Sequence, residues 1–240
     1  MFDFVSHDAA RDWMAYATPL ARRFDREVDI QLGRAAWEIP ADLQQFDFVQ
    51  ACREREFVDS LGVPFYQLRK PKKRENCLDI GCGVGFMLYP WSSWDAHFYG
   101  IDISPKTVQF VQSRAPQLNS KLFKSVRCKA AHQAFEDEPD DTYDLAIATG
   151  MFYYYPVEYF ETIWTDVRRI CKPKTIWLVE TVNPESPWAE EWGLLELHKG
   201  CEPILTPLSE WEASIRKLGG RIRTQKAGEL FVTYAIVLPG

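Results

Sequence analysis

The stretch Leu78-Asp79-Ile80-Gly81-Cys82-Gly83-Val84-Gly85-Phe86 decides the fold of this 240-residue chain. Cys77, Leu78 and Ile80 form the apolar run of a buried parallel strand, and glycines then follow at alternate positions. Glycine lets a backbone turn tightly and approach a ligand closely, because it has no side chain. The stretch therefore predicts a buried strand, a ligand-binding turn and the start of a helix.

A second strand supports this interpretation. Residues 97–104 form an apolar run that ends at Asp102, 21 positions after Gly81. An acidic residue about 20 positions beyond a glycine turn is placed to bind ribose hydroxyls. Ser104-Pro105 then supplies a helix N-cap and a first helical residue. The two strands together predict a nucleotide-like ligand.

The glycine spacing resembles the cofactor loop of class I S-adenosylmethionine (SAM)-dependent methyltransferases. It reads Gly-x-Gly-x-Gly, with Asp79 two residues before Gly81, whereas the dinucleotide fingerprint would need a glycine at Phe86. The resemblance covers about residues 75–240. It implies SAM as cofactor, S-adenosylhomocysteine (SAH) as product and no metal.

The fold that this resemblance implies is α/β. It is a Rossmann-like three-layer αβα sandwich around a seven-stranded, mostly parallel sheet with an antiparallel C-terminal strand, preceded by an N-terminal helical cap. We expect residues 1–70 to form the cap or lid and residues 71–240 the SAM-binding domain. The long insertion 183–207 is expected to act as a substrate lid, because loops of this length are usually functional. The predicted cap helices start near Ser6, Thr18-Pro19 and Asp42.

The resemblance also implies roles for cofactor residues. Asp79 would orient the methionine ammonium, Asp102 would accept from the ribose hydroxyls and Ile103 would flank the adenine. The backbone amide of His132, or the side chain of Gln133, would bind the adenine edge. The full predicted cofactor set is Asp79, Gly81, Cys82, Gly83, Asp102, Ile103, Ala131, His132, Thr149 and Gly150.

The predicted acceptor pocket is aromatic. Its candidate walls are Tyr16 from the cap, where Phe24 is a further candidate, with Tyr153, Tyr154, Trp188 and Trp192. Such walls suit a planar acceptor by stacking or an amine by cation–π contact. A solvated helix face is the first interpretation of four carboxylates of the insertion, and a site that favours a cation is the second; they are Glu190, Glu191, Glu196 and Glu202.

An alcohol, phenol or ammonium acceptor must lose a proton before it can take a methyl group. His198 is the first candidate base, because a neutral imidazole can take a proton near pH 7. Tyr153 is the second candidate catalytic residue. An ordinary surface histidine is the competing interpretation of His198.

Composition excludes several classes of function. A net charge of −6 and a pI near 5.4 argue against nucleic acid as partner, because that binding needs a basic face. The six cysteines form no Cys-x-x-Cys pair, and the four histidines lack metal-ligand spacing. We see no signal peptide or membrane span, so we expect a cytoplasmic protein that does not bind membranes.

The sequence therefore predicts methyl transfer to nitrogen or oxygen of a small molecule. Thr149-Gly150 lacks the Asn- or Asp-Pro-Pro-aromatic motif of nucleobase methyltransferases and the acidic residues of catechol methyltransferases and aminopropyl transferases. A protein or peptide methyltransferase and a non-catalytic SAM-binding subunit or sensor remain alternatives, because binding does not prove turnover. The sequence predicts no oligomeric state.

Overall fold

The computed structural model describes residues 12–36 and 38–240, so the predicted helix start near Ser6 lies outside the described residues. The segment before the sheet contains short helices and one long one. They are α1 (Met14–Gln31), a 3-10 turn (Leu43–Gln45), α2 (Asp47–Ala51) and α3 (Arg55–Ser60).

Two details of this segment differ from the prediction. Helix α1 runs through Pro19 without a break. A proline so early in a helix removes one backbone donor, and the buried side chains of Ala17, Leu20 and Val28 hold the helix on the core. The predicted third helix from Asp42 is divided into the 3-10 turn, α2 and α3.

The sheet has seven strands. They are β1 (Asn76–Ile80), β2 (His97–Asp102), β3 (Phe123–Cys128), β4 (Tyr143–Ala148), β5 (Cys171–Val182), β6 (Arg221–Ala227) and β7 (Phe231–Val237). The remaining helices are α4 (Gly85–Leu88), α5 (Trp91–Trp94), α6 (Pro105–Asn119), α7 (Val157–Ile170), α8 (Ala189–His198) and α9 (Leu208–Lys217).

The strand order is β3-β2-β1-β4-β5-β7-β6. The pairs among β1 to β5 are parallel, and β7 runs antiparallel to both of its neighbours. The chain enters the sheet at β1 and proceeds first to one side and then to the other. Ligands of open α/β sheets bind at the carboxyl ends of strands beside such a reversal. The predicted sandwich is confirmed.

The two faces of the sheet have separate cores. Leu145 and Ile147 of β4 pack in a cluster with Trp91, Trp94 and Val111. The alternate residues Ala146 and Ala148 pack in the other cluster, with α7 and part of the cap. Side chains of a strand point to opposite faces in turn, so both faces of this parallel sheet are covered.

The third strand lies earlier than predicted. The sequence predicts Val126–Ala131, but β3 ends at Cys128, which pairs with Asp102. The chain then forms a 3-10 turn at Ala131–Gln133, beyond the end of the sheet. The predicted insertion contains α8. Within the described residues, no helix is long and apolar enough to cross a membrane.

Candidate cofactor and acceptor site

A cavity of about 430 Å³ lies at the carboxyl ends of β1, β2 and β4. Its floor is the glycine loop after β1, and α1 and α8 contribute its cover. We call this space the cofactor cavity. Every predicted cofactor residue except His132 lines it.

The glycine loop adopts backbone conformations that favour glycine. Gly81 and Gly83 have φ angles of 71° and 48°. A Cβ on Gly83 would meet no atom within 4 Å, so the loop leaves open space there. A Cβ on Gly100 of β2 would lie 2.7 Å from the Cys82 sulfur. The loop therefore packs closely on β2 and leaves the cavity side free for a ligand.

Backbone amides hold the Asp102 carboxylate. Oδ1 accepts from the Ser104 N–H at 2.8 Å, and Oδ2 accepts from the Gly83 N–H at 2.9 Å. Burial raises the pKa of Asp102, while these two N–H groups oppose the rise. The carboxylate has a fixed orientation and further lone pairs for a ligand hydroxyl.

The Asp79 carboxylate has no such support. The residue is 2% exposed, and among the described residues no lysine, arginine or hydrogen-bond donor contacts its carboxylate. Burial, with the neighbouring Asp102, raises the pKa of Asp79 to about 8. A buried carboxylate without a partner is costly, and a ligand cation would remove that cost. This site fits the amino group of SAM.

Two helices present regularly spaced side chains to the cavity. Helix α1 contributes Leu20, Arg23, Phe24 and Glu27, which share one face of the helix. Helix α8 contributes Trp192 and Glu196, which share one face, and Lys199 follows its last residue. The cover therefore combines aromatic and charged groups from parts of the chain that are far apart in sequence.

A buried ion pair joins the two helices. Arg23 Nη2 lies 2.6 Å from Glu196 Oε2, and both side chains are almost fully buried. The Tyr154 hydroxyl donates to the same oxygen at 2.7 Å, and Lys199 Nζ lies 2.8 Å from Oε1. Burial alone would raise the pKa of Glu196, but Lys199 and Arg23 bring that pKa below its ordinary value. Glu196 is thus an ionised structural group.

Helix α1 is also anchored beside the cofactor residues. Asp25 Oδ1 accepts from the Ser104 hydroxyl at 2.7 Å and from the Lys106 N–H at 3.0 Å. The Ser104 N–H in turn donates to Asp102. The cap and the predicted ribose carboxylate therefore share one serine.

Three predicted acceptor residues line the cavity. They are Tyr153, Tyr154 and Trp192, and the rings of Tyr153 and Trp192 meet edge to face at 5.3 Å. Burial raises the pKa of Tyr153 well above its ordinary value, and Glu180 adds to the rise. Tyr153 is therefore a neutral phenol near pH 7, which can donate a hydrogen bond but is no phenolate base.

The other two predicted acceptor residues lie outside this wall. Tyr16 packs on Trp13 and Tyr155. Trp188 packs on Phe57, with ring centroids 4.9 Å apart. Both rings support the cover from behind, whereas Phe24, the cap alternative, lines the cavity.

The two predicted histidines do not line the cavity. His132 Nδ1 lies 3.2 Å from the Tyr159 hydroxyl, while its neighbour Ala131 faces the cavity. His198 is exposed at the end of α8, and its Nε2 lies 3.1 Å from the Glu38 carbonyl oxygen. Its position on the outer side of α8 removes the structural support for His198 as a base.

The insertion carboxylates do not form a joint cation site. Glu191 accepts from the Phe48 N–H at 2.7 Å, and Glu196 is committed to Arg23 and Lys199. Glu190 and Glu202 are exposed. Within residues 12–36 and 38–240, no group of three or more histidine, cysteine or acidic residues is arranged to hold a metal.

Sequence reasoning missed the importance of Arg23 and Glu180. The helical spacing of Arg23 with Leu20 and Glu27 indicates that the three side chains share one face of α1. The spacing does not indicate that Glu196 of α8 is the partner of Arg23. Glu180 lies near the end of β5, where an acidic residue reaches the ligand-binding edge of the sheet. Burial raises the pKa of Glu180 to about 7, while the Gly150 backbone and the Thr233 side chain oppose the rise.

Comparisons with known proteins agree with this architecture. Residues 78–179 match the family described as methyltransferase domain. The cyclopropane-fatty-acyl-phospholipid synthase of Escherichia coli K12 is 26% identical over 196 residues, which cover 78% of this chain and 45% of that protein. A sterol 4-C-methyltransferase of Caenorhabditis elegans is 27% identical over 170 residues, covering 68% and 49%. The chain spans about half the length of these curated relatives.

A solved structure shows the same fold. The geranyl diphosphate C-methyltransferase of Streptomyces coelicolor A3(2), in complex with Mg²⁺, geranyl diphosphate and SAH, has a TM-score of 0.62. It is 14% identical, and the match covers 93% of this chain and 98% of that one. The region matched by the family begins at Leu78, so it includes the glycine loop. The chain thus contains a region that matches the methyltransferase-domain family, and its fold is that of a solved SAM-dependent methyltransferase.

Proposed function

We propose that this chain is an enzyme that transfers the methyl group of SAM to nitrogen or oxygen of a small molecule with an aromatic or amine-bearing body. The observation that carries the proposal is the unpartnered, buried Asp79 carboxylate beside the glycine loop. A cationic cofactor gives this carboxylate the partner that the described residues lack.

The residues of the chain bind and orient, while SAM supplies the reactive methyl group. Asp79 would hold the amino group and Asp102 the ribose. Ile103 and Ala131 would enclose the adenine, and Thr149 with Gly150 would face the methionine part. The cover of α1 and α8 would exclude water, which favours an in-line displacement.

Carbon is a second candidate acceptor atom. The similar proteins are named for fatty acyl, sterol and geranyl compounds, and two of them are C-methyltransferases. The aromatic wall of Tyr153, Tyr154 and Trp192 would suit such apolar acceptors as well.

The assignment of the chain's parts is also a proposal. Residues 1–70 would form the cap, and 183–207 would form the substrate lid that α8 stiffens. The six cysteines, all described, are unpaired. Their free state supports a reducing, cytoplasmic location.

Titration calorimetry with SAM and SAH tests the cofactor assignment. We expect Asp79→Asn to bind SAM about 10- to 100-fold more weakly, because a hydrogen bond to a charged group contributes about 1.5–3 kcal/mol. Asp137→Asn, at an exposed turn, is the control. Equal affinities for the two variants would refute the role of Asp79.

Mass spectrometry then tests transfer. The native protein with SAM is offered amines, phenols and unsaturated apolar compounds, and products are searched for the mass of one added methyl group. The class that gains mass identifies the acceptor atom. Binding of SAM without a product in any class would favour the alternative of a SAM-binding subunit or sensor.

A further inference from the structure

A second pocket opens beside the cofactor cavity. This pocket has a volume of about 340 Å³ and is open to solvent. It is lined by residues 62–65, the ends of β4 and β5, Asp59 and Tyr89. We call this space the side pocket. The chain before it is fixed in place, because the carbonyl of Leu61 accepts from the Leu230 and Phe231 N–H groups. The side pocket is thus part of the packed fold.

Of the two carboxylates that line the side pocket, Glu180 is less exposed than Asp59. A Cβ on Gly62 would lie 3.5 Å from its Oε2, so Glu180 faces the cap segment. The Gly150 backbone and the Thr233 side chain lower the pKa of Glu180, and neither carries charge. Within the part of the chain that the structure describes, no lysine, arginine or histidine lines the side pocket.

The side pocket borders the end of the cofactor cavity where methionine is expected. Tyr89, Thr149 and Gly150 line both spaces. Tyr89 and Thr149 therefore form part of the boundary between the two spaces. By the cofactor assignment above, Thr149 and Gly150 face the methionine part of SAM. A group in the side pocket would therefore lie beside the methionine part of SAM, which carries the transferred methyl group.

Volume also favours a separate place for part of the acceptor. Pockets for drug-sized ligands hold about 300–1,000 Å³. At about 430 Å³, the cofactor cavity is near the lower end of this range, so SAM would fill much of it. The adjoining 340 Å³ offers space for a second ligand.

We propose that the side pocket binds the amino group of an amine acceptor, with Glu180 as its counter-ion and proton acceptor. This inference rests on the proposed function and narrows its substrate class. The aromatic rings of Phe65 and Tyr89 border the same space and suit a cationic group. The relevant carboxylate is thus at the end of β5, and not on the insertion.

The proposed methyl transfer needs only the amine, Glu180 and SAM. An ammonium group gives one proton to the ionised Glu180, which leaves a lone pair on nitrogen. That pair forms the new bond to the methyl carbon, and the electrons of the carbon–sulfur bond remain on sulfur. The product is a protonated methylamine, and the proton on Glu180 leaves to solvent through the open side pocket.

Few other titratable groups face Glu180. Burial raises the pKa of Tyr89 to about 12 and that of Tyr153 well above its ordinary value, so both are neutral between pH 6 and 8. At the rim, Asp59 lies 3.6 Å from the exposed Arg55. Burial raises the pKa of Glu180 to about 7, so amine binding should strengthen between pH 6 and pH 8.

Calorimetry of the SAH complex tests the inference without turnover. The probes are 2-phenylethylamine and its neutral counterpart 2-phenylethanol, at pH 8. We expect the native complex to prefer the amine by about tenfold or more, and Glu180→Gln to lose this preference, because charge-assisted bonds contribute about 1.5–3 kcal/mol. Affinity for SAH should change less than about twofold. Glu210→Gln, exposed on α9, is the matched control.

Three results would overturn the inference. In the first, the native SAH complex does not bind the amine. In the second, Glu180→Gln still prefers the amine over the alcohol. In the third, Glu180→Gln loses affinity for SAH, which would assign Glu180 to the cofactor site. If Glu180→Gln does not fold, the native complex is compared at pH 6 and pH 8, and an equal preference at both would refute the role of Glu180. A native chain that binds neither SAM nor SAH would instead refute the proposed function.

Discussion

The floor of the cofactor cavity and its cover are held together by different groups. On the floor, backbone N–H groups of Gly83 and Ser104 hold Asp102. In the cover, the side chains of Arg23 and Glu196 meet across 173 positions of sequence. The floor depends on backbone N–H groups and on glycine at Gly81 and Gly83, whereas the cover depends on pairs of side chains. Substitutions in the floor should therefore change the affinity for SAM, and substitutions in the cover should change the free energy of unfolding.

The largest expected effect is in the cover. Glu196→Ala removes the partner of a buried arginine and should lower the free energy of unfolding by about 3–5 kcal/mol. Urea denaturation measures this change. Glu202→Ala, at an exposed position of the same insertion, should change it by less than about 0.5 kcal/mol. Similar values for both variants would show that the cover does not depend on this pair.

The next effect is on the floor. Asp102→Ala removes the predicted ribose acceptor and leaves two backbone donors without their partner, so SAM affinity should fall about 30- to 150-fold, or about 2–3 kcal/mol. Asp137→Ala is the exposed control, and calorimetry compares the two. Equal affinities would exclude Asp102 from the ribose site.

A smaller effect follows from the titration of Asp79. Its pKa is raised to about 8 without ligand, and an ammonium partner would lower it, so SAM binding releases a proton below pH 8. Affinity should then be roughly fivefold higher at pH 8 than at pH 7. Asp79→Asn should remove this dependence. A native affinity that is constant from pH 6 to pH 8 would contradict the predicted contact.

The same pKa has the opposite consequence for the free protein. A carboxyl group whose folded pKa is raised stabilises the fold fully below its unfolded pKa, and this contribution is lost as the pH rises through about 8. The ligand should thus stabilise the protein most at the alkaline end of this window. Thermal unfolding with and without SAH would compare the two trends.

The smallest effect is expected at His198. Its exposed ring contacts the Glu38 carbonyl and lies outside the cofactor cavity. His198→Ala should therefore change the rate of methyl transfer by less than about twofold. A steady-state assay with the acceptor that mass spectrometry identifies would measure this rate. A loss of tenfold or more would restore His198 as the candidate base.

The sequence predicted the floor well because its signals are local. Gly81, Gly83 and Asp102 lie within 22 residues, and each has a conformational or chemical requirement that its type reveals. Even there, the boundaries of β3 were wrong, because pairing of Cys128 with Asp102 sets the end of that strand.

The cover was harder to predict because its contacts are distant. The fate of Glu196 depends on Arg23, and no spacing within α8 identifies that partner. His198 has the chemistry of a base, but its side chain is exposed on α8. Trp188 has the chemistry of a pocket wall, but its ring packs on Phe57. The sequence does not identify Glu180 as a site residue, because one acidic residue near a strand end has no distinctive pattern. Only the fold brings the distant segment 62–65 beside it.

Ser104 has a thermodynamic consequence, since it bonds both to Asp25 of the cap and to Asp102 of the floor. Any free energy by which SAM favours this arrangement must appear equally as tighter docking of α1, because coupling between two equilibria is reciprocal. A change confined to α1, such as Asp25→Asn, would thus be read out as cofactor affinity. The cap helix and the nucleoside would then bind cooperatively, because one serine links Asp25 to Asp102.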